Sequence, residues 1–114
     1  MKFGYFVLIL LLAITPFAIG SSTDESFTIT EVATGNYVHL GKHASIDDKQ
    51  RDDIANIGFI IGSKCVAVID TGGSVNIGQQ LLKTIRSITD KPICYVINTH
   101  VHFDHLLGNK AFES

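Results

Sequence analysis

At 114 residues the chain is long enough for one small domain at most, and 46% hydrophobic residues mark it as globular rather than disordered. A net charge of -2, with nine Lys and Arg scattered along the sequence, excludes the basic footprint of a nucleic-acid-binding protein.

Residues 1–20 carry one early Lys2, an apolar core from Phe6 to Ile14, a break at Pro16, and Ala18-Ile19-Gly20 with small residues at the third and first places before a cut. This is the pattern of a secretory signal peptide, and it assigns 21–114 to an exported, periplasmic chain. The competing reading is a permanent anchor, for which an apolar core of about nine residues is short. Membrane contact is therefore expected only through the uncleaved segment.

Phe27-Thr28-Ile29-Thr30-Glu31-Val32 alternates apolar and polar, and Tyr37-Val38-His39-Leu40 follows Gly35-Asn36, which predicts a hairpin. His39 and His43 lack an acidic neighbour at ligand spacing and read as ordinary surface or edge histidines. Ser45 to Asp53 is polar without either periodicity, and reads as a solvated loop.

Ile54 to Ile61 and Cys65 to Ile69 are apolar runs separated by Gly62-Ser63, which predicts two buried strands in a second hairpin. The second ends on Asp70, a carboxylate expensive to bury unless hydrogen-bonded or neutralised. Thr71-Gly72-Gly73 permits a sharp reversal and Ser74 is a good N-cap. Ile77, Leu81, Ile85 and Ile88 then recur at helical spacing, weakened slightly by Gly78 and ended by Asp90-Lys91-Pro92. Ile93 to Ile97 is a further short strand. Strand, helix and strand of these lengths predict a right-handed βαβ unit with parallel strands, so Asp70 and His100 emerge at one edge of the sheet. Cys65 and Cys94 fall near the starts of those strands and read as buried thiols; strand register decides whether they can pair.

Thr99-His100-Val101-His102-Phe103-Asp104-His105 then crowds potential metal ligands directly after the last strand. Zinc and similar divalent ions take imidazole nitrogen and carboxylate oxygen. In an extended segment side chains two apart project to the same side, so His100 and His102 are placed to grip one ion together. Leu106-Leu107 suggests a new helical turn, from which Asp104 and His105 would approach a second ion roughly 3.5–4 Å from the first. A polar surface loop with incidental histidines is a fair reading of a lone His-x-His but not of this spacing.

Thr-His-x-His-x-Asp-His resembles the metal-binding signature of the metallo-β-lactamase superfamily, and Ile69-Asp70-Thr71-Gly72-Gly73 looks like that superfamily's first motif. Residues 53–60, Tyr95-Val96-Ile97-Asn98 and Gly108-Asn109-Lys110-Ala111-Phe112 look most like its exported zinc metallohydrolases associated with quinoprotein systems. The resemblance runs from Tyr37 to Phe112. It implies an α/β (α+β) fold, the N-terminal half of an αββα sandwich, whose mixed sheet carries a helix on its outer face and packs its inner face on a second sheet.

The same resemblance implies two zinc ions in the intact protein, one on His100 and His102 and one on Asp104 and His105. Asp104 would be the catalytic residue that orients the attacking water, and Asp70 would orient the ligand loop from behind. The polar loop before Ile54 would be free to act as a flap. Superfamily members bring a third histidine, a bridging aspartate and a final histidine from their other half, so this chain reads as a truncated product or gene fragment with half a site. The implied reaction is hydrolysis of a carbonyl or ester in a small-molecule substrate (lactam, thioester, lactone or a compound of quinoprotein metabolism). Two alternatives stand beside it: an iron-dependent sulfur dioxygenase on a single iron, and a non-catalytic fragment. The sequence is silent on oligomeric state.

Overall fold

Ser74 starts the helix that organises the chain, its Oγ accepting from Ile77 N at 3.2 Å while donating to Asp52 Oδ2 at 2.7 Å. Helix α1 (Val75–Ile88) buries Ile77, Leu81 and Ile85 along one row. Ile88, expected to continue that row, is 39% exposed, because the helix ends there with Thr89 N bonded back to the Ile85 carbonyl. Gly78 has a packing reason: a Cβ there would collide with the backbone of Gly108, in a 3-10 turn (Leu107–Phe112) that lies against α1.

The computed structural model describes residues 27–113, so the expected signal peptide lies outside the described residues. Five strands form one sheet in sequential order: β1 (Thr30–Ala33), β2 (Asn36–His39), β3 (Ile57–Ile61), β4 (Val66–Ile69) and β5 (Ile93–Ile97). The first three pairings are antiparallel and β4 with β5 is parallel, as the βαβ reading requires. Helix α1 lies on the face where Ile57, Phe59, Val66 and Val68 form the core with Ile77, Leu81 and Ile85. This is the mixed sheet and helix of the expected half-sandwich. The opposite face is apolar and open: Ile60 is 43% exposed, Tyr95 62% and Ile97 48%.

Several boundaries move. The first strand begins at Thr30 rather than Phe27, since Phe27 instead stacks on the His39 ring with centroids 4.1 Å apart. The third begins at Ile57 rather than Ile54, because Asn56 Oδ1 accepts from Gly41 N in the connecting turn. Gly35 turns the first hairpin at φ 75°, and its carbonyl accepts from Ile61 N at 2.7 Å, which anchors that turn to β3.

Two expectations are corrected. His39 is neither surface nor edge: it lies in an interior strand, is 3% exposed, and its ring nitrogens meet the Thr28 carbonyl at 2.6 Å and Asp53 Oδ1 at 2.7 Å. A polar pair so far from water requires those bonds, and they draw Asp53 in from the loop that reads as solvated. Cys65 and Cys94 are not buried thiols but a disulfide, with Cα atoms 5.9 Å apart and Cys94 exposed. The register decides it: Val66 pairs with Ile93, which sets the preceding and following cysteines side by side.

Candidate metal centre

The site starts where β4 stops. Asp70 is 2% exposed and takes φ 57°, left-handed backbone that Asp tolerates better than most residues because its short side chain bonds locally. Its NH still donates to the Ile97 carbonyl at 2.8 Å, which prolongs the β4–β5 pairing. Its carboxylate collects three donors: Thr99 N on Oδ1 at 2.7 Å, and Thr99 Oγ1 and His105 Nδ1 on Oδ2, both at 2.8 Å. Burial opposes ionisation, but the hydrogen bonds from Thr99 and His105 outweigh it and hold the Asp70 carboxyl below its ordinary range.

An anionic Asp70 fixes the tautomers around it. His105 Nδ1 must carry its proton to donate, so the lone pair of that ring sits on Nε2. Thr99 spends its hydroxyl proton on Asp70 and therefore accepts from His100 Nδ1, 2.9 Å away, which puts the His100 lone pair on Nε2 as well. One buried carboxylate thus aims two imidazoles.

His100 and His102 lie in the exposed stretch before helix α2 (Phe103–Leu106), whose first turn holds Asp104 and His105, half-buried. The first pair stands on non-helical backbone and the second on a helical turn. His100 Nε2 faces His102 Nδ1 across 3.1 Å, and His105 Nε2 lies 3.4 Å from Asp104 Oδ2. Two ligands on one tetrahedral zinc, at bonds of about 2.0–2.1 Å, stand about 3.3 Å apart, so both pairs fit an ion between them. The His100 and His105 rings lie 4.0 Å apart between centroids, which brings the two pairs together. Among the described residues the donors do not close into a cage of three.

A cleft of about 500 Å³ opens beside Asp104 and His105, with Leu40, Lys42, His43 and Ile54 on its far wall. His43 is exposed, as expected for a surface histidine, but it borders this cleft. The loop is tied to the floor of the site through Gly73 N, which donates to the Asp52 carbonyl at 2.9 Å. Sequence reasoning on chemistry alone misses Asp52, Asn98 and Asn109. Their partners are distant along the chain, and the only signal was that Asn98 and Asn109 fall within the stretches that carry the family resemblance.

The family model described as the metallo-beta-lactamase superfamily matches residues 51–114. The linear primary-alkylsulfatase of Pseudomonas sp. (strain ATCC 19151) is 47% identical over 47 residues, 41% of this chain and 9% of that protein. Among solved structures, the metallo-β-lactamase FIM-1 from Pseudomonas aeruginosa, in its mono-zinc form, superposes with a TM-score of 0.59 at 22% identity, over 75% of this chain and 37% of its own. TMB-1, solved with attention to substrate and inhibitor binding, gives 0.57 at 23%, over 73% and 37%. These two likenesses are of fold, and the chain spans well under half the length of each of these three proteins. With more than half of its residues matched by the family model and its sheet, helix and histidine loop placed as described, the chain belongs to the metallo-β-lactamase superfamily.

Proposed function

We propose that this chain carries the first metal-binding half of an exported, zinc-dependent hydrolase. The observation that carries the reading is that Asp70 and Thr99 leave the lone pairs of His105 and His100 on Nε2, with His100 Nε2 facing His102 Nδ1 at 3.1 Å. That separation matches two nitrogen ligands on one tetrahedral zinc, which stand about 3.3 Å apart. His100 and His102 would hold one zinc, and Asp104 and His105 a second. Bound zinc supplies a water made acidic near neutral pH and polarises the substrate oxygen.

The chain's own residues do the rest. Asp70 keeps Nδ1 of His105 protonated, so that Nε2 stays a donor of electrons. Asp104, in the first turn of α2, offers a carboxylate oxygen to orient the attacking water toward a carbonyl or ester carbon. The alkylsulfatase relative widens the class of small-molecule substrate to sulfate esters. The Cys65–Cys94 disulfide supports an oxidising compartment, in keeping with export to the periplasm.

Zinc titration against a chromophoric chelator tests this. With two protein donors per ion, binding by this chain is expected to be weak, and His102→Ala and His105→Ala should each weaken it further, by at least about 10-fold. Indifference to both substitutions removes the motif from the function. Metal analysis of the purified protein separates the iron reading: one iron per chain, and no zinc, would replace hydrolysis by sulfur oxidation.

A further inference from the structure

Asn98 follows β5 and Asn109 lies in the turn after α2, and their side-chain amides face each other beneath the histidine loop. Asn98 Nδ2 donates to the backbone carbonyl of His105 at 2.9 Å and to Asn109 Oδ1 at 3.1 Å, while Asn109 Nδ2 donates to Asn98 Oδ1 at 2.7 Å. Thr71, fully buried, gives its hydroxyl to Asn109 Oδ1 at 2.8 Å and its NH to the His105 carbonyl at 2.9 Å. The amide orientations follow from the network. A carbonyl only accepts, so Asn98 must turn its NH2 to His105, and Asn109 must then turn its own NH2 to Asn98 Oδ1.

His105 is thereby held at both ends. Its ring is tied through Nδ1 to Asp70, and its carbonyl to Thr71 and Asn98, which leaves Nε2 a single direction. The bonds of the Asn98–Asn109 pair end on His105; His100 is reached from Asp70 through Thr99, and the His102 carbonyl accepts from His105 N at 3.1 Å. We propose that Asn98 and Asn109 are positioning residues for His105, setting its Nε2 for the ion it shares with Asp104. The inference rests on the reading of the site as a metal centre, and it separates the two ligand pairs: one is set by the amide pair, the other is not.

Diamagnetic zinc tests it on the full 114-residue chain, with the 15N shifts of the ring nitrogens of His100, His102 and His105 followed one by one by NMR, since only the nitrogen that binds the metal shifts strongly. Asn109→Asp keeps the shape but withdraws the NH2 from Asn98 Oδ1 and sets a carboxylate against it, which turns the Asn98 amide away from His105. The zinc concentration that half-shifts His105 Nε2 should rise about 10 to 100-fold, the usual cost of losing a ligand's support, with His100 and His102 unchanged within about threefold. Equal weakening at all three rings, or none, overturns the proposal. Thr71→Val and Thr71→Ser carry the same test if Asn109→Asp does not fold: Val should weaken zinc at His105 and Ser should restore it, and identical behaviour of the two overturns the proposal. A wild-type chain in which no ring nitrogen responds to zinc overturns the metal centre itself, a different outcome from a wild type that responds and variants that do not differ.

Discussion

The parallel strands β4 and β5 are fastened at both ends, by different means. At their N-terminal ends the fastening is covalent, the Cys65–Cys94 disulfide, partly open to solvent. At their C-terminal ends it is the Asp70 carboxylate, buried and bonded to Thr99 and His105. The first closes a loop in the unfolded chain and asks little of its surroundings. The second acts only in the folded state, because it needs three donors brought to one place, and those donors include a proposed ligand. Strength sits at one end and direction at the other.

The difference is open to attack from both sides. The largest loss should come from Asp70→Ala, which leaves His105 Nδ1–H, Thr99 N–H and the Thr99 hydroxyl without their acceptor and places alanine at φ 57°; each stranded donor costs about 1–3 kcal/mol. Urea denaturation reads that cost, and zinc titration of the same variant should show binding lost with it. Cys65→Ser with Cys94→Ser opens a loop whose ends are 29 residues apart, worth about 3.5 kcal/mol by loop-closure entropy, yet should leave zinc affinity within about twofold at temperatures where the chain stays folded. A disulfide variant that loses zinc as Asp70→Ala does would erase the distinction between the two ends. Ser74→Ala removes an N-cap and the bond to Asp52, for about 1 kcal/mol, measured as a shifted denaturation midpoint. Smallest of all, Tyr95→Lys on the open face should change stability by no more than about 0.5 kcal/mol, since the residue it replaces is already mostly in water.

Local rules made the scaffold legible. The spacing of Ile77, Leu81 and Ile85 placed the helix, and the order strand, helix, strand placed Asp70 beside the histidine loop before any coordinates. What escaped was set by long-range partners. His39 is buried because Asp53 and the Thr28 carbonyl meet it, at separations of 14 and 11 residues, and no period in the sequence marks either. The polar run before Ile54 reads as solvated on composition, while Asp52 and Asp53 turn inward to Ser74 and His39. The disulfide hung on register, and a shift between Val66 and Ala67 puts that beyond sequence pattern. At the site itself, four donors were visible as a motif, but which ring nitrogen His100 and His105 offer is written in Thr99 and Asp70.

The backbone of Asp70 turns one position into the overlap of two filters. At φ 57° the conformation alone admits glycine, asparagine and aspartate with little strain. The three donors converging on it admit only a residue with two acceptor oxygens. A library randomised at this codon and sorted for folding should therefore return a small alphabet led by those three residues, and one sorted for zinc should return aspartate alone. The longer glutamate, with the same chemistry, should fail both sorts.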